Sequence, residues 1–202
     1  RERVSECARR QDLAESVLPG WPGYEGHRPV RIGNQAALHV QNDVFGELVL
    51  ALAPVFLDQR FRAEQSRTVL ELLVRLARKG IAAAGTPDAG IWEYRTPARP
   101  QTFSSLMGWA GAERMRVVAA RHAPELVPEF SAAAERIRGE IVERAFDARR
   151  GAFVGVYGGG ELDAALLQMA SLRFLPKDDA RLLGTIDAIA RELDRGGWVQ
   201  RY

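Results

Sequence analysis

The stretch Arg67-Thr-Val-Leu-Glu-Leu-Leu-Val-Arg-Leu-Ala-Arg-Lys-Gly80 decides the fold class, because its apolar residues follow the period of a helix. From Val69 to Leu76 they stand at i, i+3, i+4 and i+7, which places them on one face. A similar stripe runs from Phe130 to Ile141. Each stripe needs a partner surface to cover it, so the sequence predicts an all-α fold of packed amphipathic helices.

Helical periodicity occupies most of the chain, and strands are scarce. Gly80 and the Gly196-Gly197 pair are interpreted as C-terminal helix signals, and Asp178 or Asp179 as an N-terminal cap. The segment from Phe153 to Tyr157, which lies between glycines, is predicted to be a short strand or extended loop. The predicted helices cover residues 36–56, 62–79, 103–120, 129–146, 161–174 and 179–195.

The charge content of these six helices alternates along the chain. The first, third and fifth carry two, three and three charged residues, whereas the second, fourth and sixth carry seven each. Few charges indicate a helix covered on most sides, and many charges indicate a helix with one face in water. Inner and outer helices in strict alternation are typical of two concentric layers. We therefore predict a helical toroid, or part of one.

Every loop that leads from an outer helix into an inner one lies at the same end of such a toroid. These loops are rich in glycine, proline, aromatic residues, arginine and glutamate, whereas the opposite loops are shorter and plainer. Aromatic faces beside planar hydrogen-bonding groups suit a sugar, whose ring has an apolar face and a hydroxyl edge. The rim made by residues 20–29, 85–100, 151–160 and 196–202 therefore indicates carbohydrate chemistry.

One rim loop, Pro87-Asp-Ala-Gly-Ile-Trp-Glu-Tyr-Arg95, places a carboxylate directly after a tryptophan. An apolar neighbour disfavours the ionised form of a carboxyl group, and a carboxyl group that keeps its proton near neutral pH can donate it to a leaving group. Glu93 is therefore the candidate general acid. The alternative interpretation is an ordinary surface glutamate beside an exposed tryptophan.

The composition, 47% hydrophobic and 27% charged, fits one globular domain over residues 1–202. The net charge of +2, without a dense Lys/Arg run interleaved with aromatic residues, argues against nucleic acid as a partner. No apolar run is long enough to span a bilayer, so no membrane association is expected. A single cysteine, Cys7, fits a cytoplasmic location. No set of side chains has metal-ligand spacing, so neither a metal nor another cofactor is expected.

Four blocks of the sequence resemble glycoside hydrolase family 15, the glucoamylase and trehalase-like enzymes with an (α/α)6 toroid. The resemblance implies about half, six helices, of that toroid, and a partial catalytic domain that releases glucose from α-linked glucosides with inversion of configuration. The blocks follow the family order and are Gly23–Asn34, Asp43–Glu47, Gly90–Glu93, and Leu162–Leu167 through Pro176 to Arg201-Tyr202.

The resemblance also implies roles for individual residues. Glu93 corresponds to the general acid, and Trp92 to a wall of the sugar subsite. The other expected substrate contacts are Tyr24, Arg28, Arg201 and Tyr202. The cleaved linkage stays open among α-1,4, α-1,6 and α,α-1,1, and Tyr94 is a candidate discriminator among leaving groups.

The general base expected of this family is absent from the chain. An inverting glycosidase needs a second carboxylate about 6.5–9.5 Å from the first to activate water. The family takes it from a Glu downstream of the Arg-Tyr pair, whereas this chain stops at Tyr202. We therefore expect either a fragment of a full enzyme or a chain whose remaining helices come from another chain. In both cases the 202 residues alone are expected to be inactive, and their uncovered inner helices favour self-association. The alternative is a non-catalytic helical module that binds a carbohydrate or a protein.

Three further carboxylates have structural interpretations. Asp43 and Glu47 lie at i and i+4 on a mostly apolar helix, and we expect them to accept hydrogen bonds from facing loops. Asp163 follows a glycine run and is expected to cap a helix instead of binding sugar.

Overall fold

The computed structural model describes residues 14–94 and 97–202, which fall into two compact units. The first unit ends at Val40, and the second runs from Gln41 to Tyr202. Cys7 lies outside the described residues. A single domain over residues 1–202 stays a prediction.

The first unit contains a short antiparallel ladder and two single-turn 3-10 helices. Strand β1 (Ser16–Val17) pairs with β2 (Arg31–Ile32). An ion pair of 2.7 Å between Arg31 Nε and Glu15 Oε1 stabilises the same ladder. The two 3-10 helices occupy Tyr24–Gly26 and Gln35–Leu38.

The second unit is a packed set of α-helices, as the periodicity predicts. Four predicted helices, those at 62–79, 103–120, 129–146 and 179–195, are confirmed with small shifts at their ends. Asp179 caps the last of them by accepting a hydrogen bond from the Arg181 amide, as expected. The helices are α1 (Asp43–Leu52), α2 (Pro54–Leu57), α3 (Arg67–Ala83), α4 (Thr102–His122), α5 (Val127–Ala145), α6 (Gln168–Ser171) and α7 (Ala180–Leu193).

The other two predicted helices are wrong in extent. The first, 36–56, begins only at Asp43, and it is divided at Pro54, which has no amide hydrogen to continue the helical ladder. The fifth, 161–174, is a 3-10 turn at Ala164–Leu167 followed by the single turn of α6. Arg173 then takes a left-handed conformation with φ 58°, which is incompatible with a continuing helix.

Gly80 lies inside α3 and does not end it, contrary to the prediction. The helix continues to Ala83. A Cβ atom on Gly80 would lie 3.4 Å from Cβ of Phe45 and 3.7 Å from Cα of Gly108. Gly80 therefore marks the close approach of α3 to α1 and α4.

Helix α4 is the buried centre of the second unit. All its residues from Thr102 to Ala112 are buried, which confirms the inner position predicted from its low charge. Helices α3, α5 and α7 each bury one apolar face, as outer helices should. Helix α1 departs from the expected inner burial, because Val44 and Leu48 are each 41% exposed.

Two short antiparallel ladders organise loops of the second unit. Strand β3 (Pro87–Asp88) pairs with β4 (Arg99–Pro100), and β5 (Phe146–Asp147) pairs with β6 (Ala152–Phe153). The segment 153–157, predicted as a short strand or extended loop, is a strand at Phe153 and a loop from Val154 onward. Val156 instead forms an isolated bridge with Gln101, immediately before α4.

Candidate active site

Glu93 lies in a loop whose base is closed by the β3–β4 ladder. The Glu93 amide donates to the Gly90 carbonyl at 3.1 Å, and the Tyr94 amide donates to the Ala89 carbonyl at 3.0 Å. This turn holds Glu93 in the left-handed region, with φ 53°. A non-glycine residue there costs about 1–2 kcal/mol, and such strain is concentrated at functional sites.

A buried carboxylate, that of Asp88, anchors the first half of this loop. Asp88 is 1% exposed, and its Oδ2 accepts hydrogen bonds from the Asn42 amide at 2.9 Å and from Ser104 Oγ at 2.7 Å. Asn42 precedes α1 and Ser104 belongs to α4, so the loop is attached to both helices. Burial raises the pKa of Asp88, and the hydrogen bonds oppose that rise.

The indole of Trp92 is held by two charged side chains. Its Nε1–H donates to Asp163 Oδ1 at 2.9 Å, and the Arg201 guanidinium lies over the ring, 5.4 Å from its centroid. Asp163 is 2% exposed and also accepts from the Ala165 amide at 2.8 Å, so the expected cap is confirmed. Burial raises the pKa of Asp163, while the indole and amide hydrogen bonds oppose the rise. The orientation of the Trp92 ring is therefore fixed.

The C-terminal residues pack against the same loop. The rings of Tyr94 and Tyr202 lie 4.9 Å apart, centroid to centroid, with 48° between their planes. Burial raises the pKa of Tyr94, so its hydroxyl stays protonated and can donate a hydrogen bond. The Arg201 carbonyl accepts from the Ala164 amide at 2.8 Å. The Arg201-Tyr202 pair thus lies beside Trp92 and Tyr94.

Glu93 and these aromatic residues line a cavity of about 590 Å³. That volume is within the range of about 300–1,000 Å³ for ligand pockets. Glu93 is exposed and Trp92 is half-buried, contrary to the expectation that an apolar environment covers this carboxyl group. The residues that line the cavity are Trp92, Glu93, Tyr94, Arg99, Gln101, Val156, Glu161 and Tyr202.

A larger cavity, of about 810 Å³, lies at the other end of α4 and is lined in part by His122. Helix α4 has 21 residues, so at about 1.5 Å per residue its ends are about 30 Å apart. Two arginines of that cavity are engaged in ion pairs, Arg67 with Glu71 and Arg78 with Glu129. We place the candidate site at the smaller cavity, which combines a carboxylate with several aromatic rings.

Three predicted rim loops meet in the second unit. The Tyr157 amide donates to the Pro100 carbonyl at 3.0 Å, and the Thr102 amide donates to the Gly155 carbonyl at 2.9 Å. These bonds join the Glu93 loop to the glycine-rich loop at 151–160. The C-terminal loop joins them through the contacts of Arg201 and Tyr202.

Tyr24 and Arg28, the remaining predicted substrate contacts, lie in the first unit. Tyr24 is 82% exposed, on a 3-10 turn, and Arg28 is also exposed. Their contact with a substrate stays a prediction.

Asp43 differs from its expected role. It is 3% exposed, and within the described parts of the chain its Oδ1 has no hydrogen-bond partner. Backbone amides in the first turn of α1 lower its pKa, and no hydrogen bond from a facing loop reaches it within residues 14–94 and 97–202. Burial, the Glu47 charge and the Asp88 charge raise the pKa of Asp43 to about 6.

Asp88 and Glu161 are among the residues of the site that were not identified from the sequence. Asp88 had a recognisable signal, because Pro87-Asp-Ala-Gly90 is typical of turns in which an Asp side chain binds nearby backbone. Glu161 had none, since it follows three glycines and its position in the cavity depends on distant contacts.

Two searches of the described residues bear on other functions. No group of three or more His, Cys, Asp or Glu side chains among residues 14–94 and 97–202 is arranged to hold a metal ion. None of the described helices is both long enough and apolar enough to cross a lipid bilayer.

Known proteins similar to this chain include several trehalases. The trehalase of Mycobacterium tuberculosis (strain ATCC 25618 / H37Rv) is 36% identical over 193 residues, which cover 95% of this chain and 28% of the trehalase. The trehalase of Thermoplasma volcanium is 32% identical over 199 residues, covering 95% of this chain and 30% of the relative. The chain thus spans less than a third of the length of these curated relatives.

A solved structure, a glycosidase variant in complex with glucose, shares the fold. The TM-score is 0.69 at 21% identity, and the match covers 89% of this chain and 49% of the glycosidase. The fold is all-α and is part of an (α/α)6 toroid, as predicted. The family model described as glycosyl hydrolases family 15 matches residues 4–202, and the chain therefore belongs to that family.

Proposed function

We propose that the protein containing this chain is an inverting α-glucosidase of the glucoamylase or trehalase type, with Glu93 as its general acid. The relatives named trehalases favour trehalose, the α,α-1,1 glucoside, over maltose or isomaltose as the substrate. The proposal needs no cofactor, and a cytoplasmic location stays a prediction.

In the proposed reaction, Glu93 donates its proton to the glycosidic oxygen while the bond from C1 to that oxygen breaks. A water molecule attacks C1 from the opposite face, and a second carboxylate accepts the proton of that water. The family resemblance takes this base from a Glu beyond Tyr202. One trehalose and one water then give one β-glucose, inverted at C1, and one α-glucose, which is the leaving sugar.

The observation that carries the proposal is the composition of one cavity. Glu93, Trp92 and Tyr202 line it together, and the Arg201 guanidinium lies over Trp92. A sugar ring can place its apolar face on an aromatic side chain while its hydroxyl groups bind arginine and tyrosine. Tyr24 and Arg28 are proposed as additional substrate contacts.

The loop that carries Glu93 supports the same role. Its backbone is strained at Glu93 and attached through Asp88 to two helices. A general acid must keep its geometry relative to the bond that it protonates, so a loop with fixed ends suits this function.

The test uses the full-length protein with trehalose, maltose and isomaltose as parallel substrates. We expect trehalose turnover to give α- and β-glucose in equal initial amounts, measured by proton NMR before the anomers equilibrate. Glu93→Gln should lower kcat by about 10²–10⁴-fold, because general acid catalysis contributes that much. Glu143→Gln, an exposed residue on α5, is the matched control and should retain activity.

Two results would contradict the proposal. Full activity in Glu93→Gln would remove Glu93 from the mechanism, and initial release of α-glucose alone would exclude inversion. Sugar binding without turnover in the unaltered full-length protein would favour a non-catalytic carbohydrate-binding module instead.

A further inference from the structure

Glu161 is a second carboxylate of the cavity that contains Glu93, and the proposed reaction gives it no role. It stands at the end of the glycine run 158–160, and the structure leaves it exposed at the cavity wall. Two carboxyl groups therefore line one cavity, and the proposed reaction uses only that of Glu93.

The backbone around Glu161 is closely constrained. The Gly155 amide donates to the Glu161 carbonyl at 2.8 Å, and a Cβ atom on Gly155 would lie 3.0 Å from Cβ of Asp163. Gly155 also accepts from the Thr102 amide at the start of α4. The position of Glu161 is therefore set by the same contacts that join the glycine-rich loop to the Glu93 loop.

The side chain of Glu161 is oriented by backbone amides. The Gly160 amide donates to its Oε2 at 3.2 Å. That bond, the Glu161 amide and the positive charges of Arg99 and Arg150 lower the pKa of Glu161. An ionised carboxylate has about four lone-pair sites and accepts hydrogen bonds only, so it retains capacity for hydroxyl donors in the cavity.

These properties separate two roles that Glu161 could take. The proposed reaction takes its general base from another carboxylate, and the lowered pKa of Glu161 suits hydrogen-bond acceptance better than proton uptake. At neutral pH the same carboxylate is an ionised hydrogen-bond acceptor, which suits the binding of sugar hydroxyl groups. Glu161 is an exposed residue of the cavity lining, so it is accessible to the part of a substrate that extends towards solvent. That part is the leaving sugar if the terminal glucose occupies the interior.

We propose that Glu161 binds hydroxyl groups of the leaving sugar and so contributes to the choice of leaving group. This inference rests on the proposed function, because it takes the Glu93 cavity as the substrate site. Glu161 touches substrate in this role but transfers no proton.

The test compares trehalose with α-glucosyl fluoride in the full-length protein. The fluoride carries the same glucose but has no leaving sugar, so it cannot use a hydroxyl contact with Glu161. Glu161→Ala should lower kcat/KM for trehalose by about 10- to 100-fold, mainly through KM, as expected for loss of a hydrogen bond to a charged group. Activity on α-glucosyl fluoride should stay within about twofold of the unaltered protein. Glu161→Gln keeps one acceptor oxygen, so its kcat/KM for trehalose should lie between those of the unaltered protein and Glu161→Ala. Glu143→Gln should leave kcat/KM unchanged for both substrates.

Equal losses on both substrates would overturn the proposal, because they would place Glu161 at the retained glucose or in the chemical step. Unchanged kinetics on trehalose would overturn it as well. A second readout is trehalose binding in the Glu93→Gln background, followed by tryptophan fluorescence, where Glu161→Ala should weaken binding by the same factor. If the Glu93→Gln protein with its Glu161 intact does not bind trehalose, the contact is also refuted.

Glu93→Gln separates this test from that of the proposed function. Fluoride leaves without a proton, so loss of the general acid should lower kcat for trehalose by about 10²–10⁴-fold but preserve hydrolysis of α-glucosyl fluoride. If Glu93→Gln has no effect, the acid assignment fails. The comparison of trehalose with α-glucosyl fluoride in Glu161→Ala then still tests the Glu161 contact independently.

Discussion

Replacing Asp43 by asparagine should stabilise the protein near neutral pH. Asp43 is 3% exposed, and its Oδ1 has no hydrogen-bond partner within residues 14–94 and 97–202. Asparagine has almost the same shape and keeps an oxygen for the backbone amides of α1, but carries no charge. Its N–H donors would also lie near Asp88, whose Oδ1 is likewise without a partner in the described chain.

The magnitude follows from the pKa of Asp43, which is raised from its ordinary value of 3.8 to about 6. Because the folded state binds the proton more tightly, the free energy of unfolding is greatest below the ordinary value. It falls as pH rises through the window between the two values. A rise of about 2 pKa units lowers the free energy of unfolding above pH 6 by at most about 3 kcal/mol. Asp43→Asn should therefore gain about 1–3 kcal/mol at pH 7.5 and nothing at pH 3.5.

Urea unfolding between pH 3.5 and 8 would measure this difference, with Glu143→Gln as a control that removes the same charge from an exposed site. The free energy of unfolding of this control should stay within about 0.5 kcal/mol of that of the unaltered protein at every pH. If Asp43→Asn shows no gain at pH 7.5, or the same gain at pH 3.5, an ionised Asp43 does not destabilise the fold and the reasoning is refuted.

The isolated 202-residue chain should not hydrolyse maltose or trehalose, because it covers less than a third of the length of the trehalases that it resembles; turnover that Glu93→Gln abolishes would contradict this. Gly46→Ala should destabilise by about 2 kcal/mol or more, since its Cβ atom would lie 2.1 Å from the Met107 carbonyl oxygen. Gly139→Ala, with nothing within 4 Å of its Cβ, should instead add about 0.5–1 kcal/mol in the same thermal melts. An unchanged Gly46→Ala variant would count against the close contact of α1 with α4. The isolated chain should also self-associate through α1, where Val44 and Leu48 are 41% exposed, and a stable monomer in sedimentation would argue otherwise.

The helices were predictable where a single apolar stripe is covered by a neighbour. Helices α3, α5 and α7 show such stripes, and the low charge of α4 correctly indicated burial on most sides. Prediction failed where backbone chemistry overrode the pattern, at Pro54 and at Arg173 with its left-handed conformation. The prediction that Gly80 ends a helix failed for a different reason. A glycine where two helices cross and a glycine that follows a helix cannot be distinguished in the sequence.

The site was predictable as a set of loops, because the alternation of inner and outer helices assigns loops to one rim. Trp92, Glu93, Arg201 and Tyr202 do lie together. Their contacts were not predictable, because they join residues far apart in the chain. Ser104 binds Asp88 16 residues away, and Trp92 binds Asp163 71 residues away. A local sequence pattern does not predict contacts between residues so far apart in the chain.

These two contacts explain how one loop keeps a strained glutamate in place. Asp88 lies five positions before Glu93 and is bonded to α4, while Trp92, directly before Glu93, is bonded to Asp163. Each buried carboxylate is destabilised by the loss of water and regains part of that free energy through its hydrogen bonds, which also include the Asn42 amide for Asp88 and the Ala165 amide for Asp163. Movement of the loop would leave both carboxylates with fewer partners, at about 1–3 kcal/mol each. That penalty is comparable to the strain of the left-handed conformation at Glu93, so the two anchors together are sufficient to hold it.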